Sequence, residues 1–476
     1  MALLPYPEDQ ILDRLRFENP WWISGKIDEH YSNMDRRLYF DLFFSLIAEI
    51  KVRRATVLMG PRRVGKTVMM YHAIQELLTK NIDPLKVAFI SIETPTYNNI
   101  GLEQLFSYCR KASGQKDAKG WYVFFDEIQY LKDWEVHLKS LVDSYPNTRF
   151  IVSGSAAAAL KIKSNESGAG RFTNFMLPSL TFNEFLHLKK LDRLIIEKEI
   201  SKTDDFFTSN NLNEINRHFL DYINFGGYPE VILSQEIQNN PSRYIRSDII
   251  DKVLLRDLPA LYGISDVQEL NSLFTRIAYN SGNEISLDEL SKNSGVNKAT
   301  IKRYIEYLEA AFLIKRINKI SNTPKKFQRV TQFKTYLTNP SLRSALFSPI
   351  SPNDAVLGSM VETAVFAQWI HDESFVPYYA RWQGGEVDLV CLSKKDLSVD
   401  WALEIKWSNQ FFDQPKKLKS LLKFLKDNKM KSATVTTIDQ SGIKKIDDIT
   451  LQFVPTALYA YTVGKLTMDQ KRGKNK

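Results

Sequence analysis

Cysteine is nearly absent from this sequence: two in 476 residues, Cys109 and Cys391, with no spacing that pairs them. That excludes a disulfide-stapled secreted scaffold and any metal site built on a cysteine cluster, and it fits a reducing cytoplasm. No run reaches the ~18 uninterrupted apolar residues of a membrane span, so no membrane partner is expected. The N-terminus, MALLPYPEDQILDRLRF, carries early acids and no apolar core ahead of a small-residue cleavage site. It does not read as a signal peptide. Internal repeats and long low-complexity tracts are missing too. What is present is a soluble globular composition, 43% hydrophobic and 25% charged, in a chain too long for one ordinary core.

The net charge of +9 is unevenly placed. From Trp401 onward there are 15 Lys and Arg against 7 Asp and Glu, and from Thr300 to Lys334 there are 9 against 2. Such clusters attract phosphate backbones, although a solubilising surface is the alternative reading.

The patterning divides the chain into five segments. Residues 1–50 hold an aromatic, helical extension with NPWWIS and RRLYFDLFFSLIAEIKVRR. Residues 51–205 alternate short β-type runs (ATVLM, KVAFISIE, WYVFFDE, RFIVSGS) with helical ones, the signature of a parallel sheet covered by helices. Residues 206–280 read as a helical lid broken by FGGYPE, 281–328 as a winged helix, and 329–476 as mixed α and β ending in a polar tail.

GPRRVGKT, from Gly60 to Thr67, fits G-x-x-x-x-G-K-[ST] without a mismatch, after an apolar run and before a helical one. Gly60, Pro61, Arg62, Arg63, Val64, Gly65, Lys66, Thr67 and Val68 are therefore read as a phosphate cradle for ATP. Gly60 and Gly65 let backbone N–H groups turn inward, and the helix N-terminus adds positive potential. Lys66 would reach the β- and γ-phosphates, and Thr67 would ligate Mg2+. WYVFFDEIQ supplies the acids: Asp126 to hold the metal and Glu127 to polarise the attacking water. Ser153, at the end of RFIVSGS, could sense the γ-phosphate from a neighbouring strand. Arg171, after a Gly-rich loop, could reach a neighbouring copy's nucleotide as an arginine finger in a homo-oligomer, or be a surface arginine.

GPRRVGKT, FFDEIQYLKDWE, SGSAAAAL, ESGAGRF, LPSLTFNEF and FGGYPEV together resemble a prokaryotic AAA+ superfamily ATPase family that joins an AAA-type domain to a C-terminal domain of the DUF4143 type. The similarity runs over nearly the whole chain and implies an α/β P-loop ATPase fold with nucleotide-driven activity. The aromatic extension around Trp21 and Trp22 exceeds the family's minimal pattern.

ISLDELSKNSGVNKATIKRYIEYLEAAFLIKRI has winged-helix patterning, with Ile301, Tyr304, Ile305 and Leu308 as the buried face of its second helix. Lys298, Thr300, Lys302 and Arg303 lie in that helix's N-terminal half, where recognition helices present base and phosphate contacts. DNA contact is one reading, and packing or protein contact is the other.

Further on, alternation in GEVDLVC puts Val387 and Leu389 on one face and Glu386, Asp388 and Val390 on the other, while Ala402, Glu404 and Lys406 share a face of WALEIKW. Adjacent strands would then bring Asp388, Glu404 and Lys406 into one shallow site, with Glu362 on an upstream amphipathic helix. Paired carboxylates suit Mg2+, and an ammonium can orient water or stabilise phosphorane charge. Helix Glu, then G-x-E-V-D, then E-x-K resembles the PD-(D/E)xK nuclease fold of restriction endonucleases and Holliday-junction resolvases, although the proline before the aspartate is absent. An active nuclease, a degenerate one that grips DNA or a protein, and a solvated cross-strand salt bridge all remain open on sequence. Three functions follow: an ATPase acting on or with DNA, an ATP-gated metal-dependent endonuclease, and a signalling or scaffold ATPase that binds a protein.

Overall fold

The computed structural model describes residues 6–49, 52–154, 170–196, 206–321, 332–371, 375–471 and 473. The stretch 155–169, which includes Ser155 and most of the Gly-rich loop, and the end of the polar tail lie outside the described residues. The chain divides into two compact units, Met1–Pro178 and Ser179–Lys476.

The first unit is built on a five-stranded sheet. β1 (Ala55–Met59), β2 (Val87–Ser91), β3 (Tyr122–Asp126), β4 (Arg149–Gly154) and β5 (Phe172–Met176) lie in the order β2-β3-β4-β1-β5, with every neighbouring pair parallel. β1 and β3 are buried at every residue, as strands covered on both faces must be, so they read as continuous apolar runs. The helix Lys66–Thr79 buries Met69, Met70, Ala73, Ile74 and Leu77. Sheet and helices close a core with Phe106, Trp121, Phe125 and Phe150 at its centre.

The N-terminal extension has a definite place in this unit. β2 is an edge strand, with its outer N–H and C=O groups available for pairing. Asn19, after the helix Glu8–Glu18, pairs with it through its side chain: Nδ2 donates to the Phe89 carbonyl at 2.9 Å, and the Phe89 N–H donates to Oδ1 at 2.6 Å. The indole N–H groups of Trp21 and Trp22 both donate to the Val87 carbonyl at 2.8 Å. A side-chain amide and two indoles thus do the work of a sixth strand.

The second unit contains β6 (Ile195–Ile196) and β7 (Thr208–Ser209), a short antiparallel pair, and a nine-stranded mixed sheet. Its strands are β8 (Glu284–Ser286), β9 (Ile314–Ile320), β10 (Gln332–Leu337), β11 (Pro377–Trp382), β12 (Gly385–Leu392), β13 (Val399–Glu404), β14 (Ser432–Thr437), β15 (Gly442–Ile446) and β16 (Ile449–Pro455). They run in the order β15-β16-β14-β13-β12-β11-β9-β10-β8.

This arrangement redraws the sequence-based segments. Residues 179–196, expected to continue the segment 51–205, pack in the second unit: the Phe182 N–H donates to Gln368 Oε1, and the Tyr222 hydroxyl donates to the Leu180 carbonyl. The segments 281–328 and 329–476 share one sheet, because β9 pairs in parallel with β11. The two helices expected after Ile285 are present. Leu287–Ser294 closes on Gly295 at φ 73°, and Lys298–Ala310 buries Ile301, Tyr304, Ile305 and Leu308.

Strict alternation fails in β12. Four residues, Val387 to Val390, oppose three on β11, Tyr378 to Ala380. This is a β-bulge, which inserts an unpaired residue and re-aims its neighbours. As a result Val387 packs with Val390 in one hydrophobic cluster, whereas Leu389 packs with Leu403 in the other, and the expected shared face of Val387 and Leu389 does not exist.

Candidate functional site

The loop between β1 and the helix Lys66–Thr79 is shaped by backbone demands. Gly65 sits at φ 93° and Arg63 at φ 62°, both left-handed. Gly60 lies so close to the Leu177 carbonyl that a Cβ would fall 2.1 Å from its oxygen, so only glycine fits. Lys66 is buried, and its ammonium donates to the carbonyls of Gly60 at 3.2 Å and Pro61 at 2.9 Å. The next residue, Thr67, donates from its hydroxyl to Asp126 Oδ2 at 2.7 Å.

Strand order explains the rest of the cluster. β4 lies between β3 and β1, so Ser153 at its end stands between the acids of β3 and the loop after β1. Its hydroxyl donates to Asp126 Oδ1 and accepts the Glu127 N–H at 3.1 Å. Burial, followed by the neighbouring Glu127 charge, pushes the Asp126 carboxyl up to about 6, while the two hydroxyls hold it down. Glu127 is left-handed at φ 54° and accepts from the Gln129 side-chain amide. The structure therefore brings Lys66, Thr67, Asp126, Glu127 and Ser153 together. Arg171 stands apart on the surface, where its Nε meets Asp143 Oδ1 at 2.5 Å.

Among the described residues no three His, Cys, Asp or Glu side chains are grouped to hold a metal ion. A cation here would rest on Asp126, the Thr67 hydroxyl, water and phosphate oxygens, the ligand set Mg2+ prefers. A buried carboxylate with a raised pKa, aimed at a hydroxyl, fits such a cation.

Two residues that sequence reasoning passed over border this site. Glu18 is buried, with Tyr97, Thr94, Arg14 and the Ser91 N–H as partners, and burial raises its pKa. Arg37, also buried, donates to the Val64 carbonyl at 2.7 Å and the Pro178 carbonyl at 3.0 Å. In sequence it is one of two adjacent arginines in a polar stretch, with nothing to single it out.

The second unit does gather Glu362, Asp388, Glu404 and Lys406. Lys406 Nζ meets Glu404 Oε1 at 2.8 Å and Asp388 Oδ2 at 3.3 Å. Asp388 Oδ2 also accepts the Ile405 N–H at 2.8 Å, a contact the bulge in β12 accompanies. Glu404 Oε2 is buried and has no hydrogen-bond partner among the described residues. Burial and the neighbouring Asp388 charge raise the Glu404 carboxyl to about 8. Glu362 joins through Lys334, whose Nζ lies 2.9 Å from Glu362 Oε1 and 2.5 Å from Glu386 Oε1. The Tyr336 hydroxyl also donates to Glu362 Oε1, at 2.5 Å. Lys334 is almost fully buried in β10, and nothing in the mixed polar and apolar run QFKTYL singles it out.

Of the four residues expected to face DNA on the helix Lys298–Ala310, Lys302 and Arg303 are exposed, Thr300 is half-buried, and Lys298 pairs with Asp288. Among the described residues no helix is long and apolar enough to cross a membrane.

A parallel five-stranded sheet with a glycine-bounded phosphate loop and an acid on the strand two places away defines a P-loop nucleotide-binding unit. Compared with known families, residues 52–186 match the model described as an AAA domain. Residues 216–354 match a domain of unknown function, DUF8612, where the sequence resemblance had named the DUF4143 type. An uncharacterized protein of Methanocaldococcus jannaschii is 25% identical over 412 residues, spanning 84% of this chain and 86% of its own length. An uncharacterized protein of Haemophilus influenzae is 24% identical over 355 residues, 73% of this chain and 82% of its own. Among solved structures, the Aeropyrum pernix ORC2 protein in its ADP form is 14% identical, covers 61% of this chain and 90% of that chain, and gives a TM-score of 0.33.

Proposed function

We propose that this protein is a Mg2+-dependent ATPase. The observation that carries this reading is the convergence of Lys66, Thr67, Asp126 and Ser153 at the end of the phosphate loop. Lys66 would exchange its loop carbonyls for β- and γ-phosphate oxygens, which offer its charge a stronger partner. Thr67 and Asp126 would hold the metal, which supplies charge neutralisation on the phosphates. Glu127 would accept the proton of the attacking water, and Ser153 keeps Asp126 and Glu127 in register by bonding both. Arg171 would act across a copy interface: its exposed pair with Asp143 is worth little and exchanges readily for a phosphate. Steady-state phosphate release from ATP, with and without Mg2+, tests this. Turnover that persists in EDTA would remove the metal role.

The same reading has the ATPase act on or with DNA, supported by exposed Lys302 and Arg303 and by the basic excess from Thr300 to Lys334. DNA should stimulate turnover, and binding should weaken steeply with salt. Salt-insensitive failure to bind any nucleic acid favours a protein partner instead.

A second reading concerns the second unit, and the unpartnered Glu404 Oε2 favours it. Asp388 and Glu404 would hold a divalent cation, which supplies Lewis acidity toward a phosphodiester, with Lys406 beside them as in a nuclease-like site. Incubating supercoiled and four-way DNA with Mn2+ tests it, with Asp388→Ala as the control that must lose any cleavage.

A further inference from the structure

The two ends of the phosphate loop are tied to adjacent residues, the start to Leu177 and the far end, through Arg37, to Pro178. At its start, the Leu177 N–H donates to the Met59 carbonyl at 2.7 Å, and Gly60 lies against the Leu177 carbonyl. At its far end, Arg37 bonds the Val64 carbonyl and the Pro178 carbonyl with the two arms of one guanidinium. Pro178 is the last residue of the first unit, where the chain passes on toward Ser179. Arg37 itself is held by its surroundings. Tyr39 is fully buried with its ring edge-on to Phe175 of β5 at 6.3 Å, and Phe43 meets the same ring at 5.3 Å. Arg36 stacks over Phe40 and pairs with Glu76 on the helix that follows the loop. The segment 36–43 is thus wedged between β5 and that helix, with Arg37 at the base of the loop.

A guanidinium is suited to this task, because its rigid fork can reach two carbonyls whose spacing it then fixes. A buried cation behind the loop also adds to the positive potential that an incoming phosphate meets.

We propose that Arg37 is a positioning residue of the nucleotide site that locks the curvature of the phosphate loop to the exit segment Leu177–Pro178. Nucleotide binding is then felt where the chain leaves the first unit. This rests on the reading of the loop as a nucleotide site.

The test uses the full chain as wild type, Arg37→Met and Arg37→Lys. ADP affinity is measured by titration calorimetry, and hydrogen exchange is followed at the Leu177 amide with and without saturating ADP. In the wild type, ADP should slow exchange at Leu177. Arg37→Met should weaken ADP binding about tenfold or more, the size of losing a charge-assisted contact pair, and should abolish the ADP-dependent slowing even at saturation. A purely structural loss would lower the melting temperature without uncoupling these readouts. Arg37→Lys keeps the charge and one bond but cannot span both carbonyls, so it should fold, recover part of the affinity and still lack the slowing. Wild-type ADP affinity in Arg37→Met, or an undiminished ADP effect at Leu177 in either variant, overturns the proposal. A wild-type chain that binds no ADP removes the nucleotide reading itself, and the proposal with it.

Discussion

Both units bury a carboxylate beside a second one and a lysine, and they hold it by different means. In the first, Asp126 is gripped by the hydroxyls of Thr67 and Ser153, while Lys66 donates to loop carbonyls. In the second, lysines grip the acids directly: Lys406 holds Asp388 and Glu404, and Lys334 holds Glu362 and Glu386. A hydroxyl contact is a single hydrogen bond from an uncharged donor, which an entering cation can replace at modest cost. An ion pair with a lysine, 4% exposed at Lys334 and 28% at Lys406, must be broken before the acid can serve anything else, and that costs more. The first site is therefore built to exchange ligands, and the second is built to keep its charges paired until a strong competitor arrives.

The sharpest way to break this contrast is to remove each lysine in turn. Lys66→Ala should lower ATP turnover by about 100-fold or more, the scale of deleting one preorganised charge partner of a transition state, while the melting temperature stays near wild type. If stability falls instead and turnover survives, Lys66 is a structural lysine and the contrast collapses. Lys406→Met should do the reverse. It leaves Asp388 and Glu404 without their shared cation and should cost about 2 kcal/mol of stability, less than the ~3–5 kcal/mol of a fully buried pair because the lysine is 28% exposed. ATP turnover at saturating substrate should be unchanged.

Ser153→Ala probes the hydroxyl grip itself. It takes one partner from Asp126 and the acceptor from the Glu127 N–H. Turnover should fall about tenfold, the equivalent of ~1.4 kcal/mol, with a smaller change in the KM for ATP, because Lys66 and the loop still bind the phosphates. An increase in KM with unchanged kcat would make Ser153 a binding residue and not a brace for the acids.

How much of this could be read beforehand follows the same division. The phosphate loop and Asp126-Glu127 were legible because each depends on a short contiguous run: glycines at the turn, a strand before, a helix after. Ser153 was legible as a hydroxyl at the end of the next β run, but its bonding to both acids was not, since that needs the strand order and the register of β4. Glu362, Asp388, Glu404 and Lys406 were legible as a group, yet the bulge in β12 was hidden, because alternation carries no sign of one inserted residue. Lys334, Arg37 and Asn19 act on groups that are remote in sequence. Asn19 bonds a strand 70 residues away and Arg37 a carbonyl 141 residues away, and no local pattern reports such distances.

Glu18 sharpens the comparison from a third side, with the smallest effect. Asp126 is raised by burial and then by the charge of Glu127; Glu18, in the same unit, is raised by burial and opposed by Arg14, Tyr97 and the Ser91 N–H. Its titration therefore isolates burial from like-charge repulsion. The folded-state pKa lies above the ordinary 4.5, so within the window between the two values the native state holds a proton that the unfolded state has released. Glu18's contribution to stability is thus complete below the ordinary value and is lost as pH rises through the raised one, with a slope of at most ~1.4 kcal/mol per pH unit. Glu18→Gln does not titrate. Urea unfolding of both chains from the ordinary carboxylate range to neutrality should show the wild type losing ground to the variant as pH rises, then running parallel to it. A wild type that instead loses ground to Glu18→Gln as pH falls would mean that Arg14 outweighs burial and that Glu18 is an ion-pair carboxylate, leaving desolvation alone unable to account for the rise at Asp126.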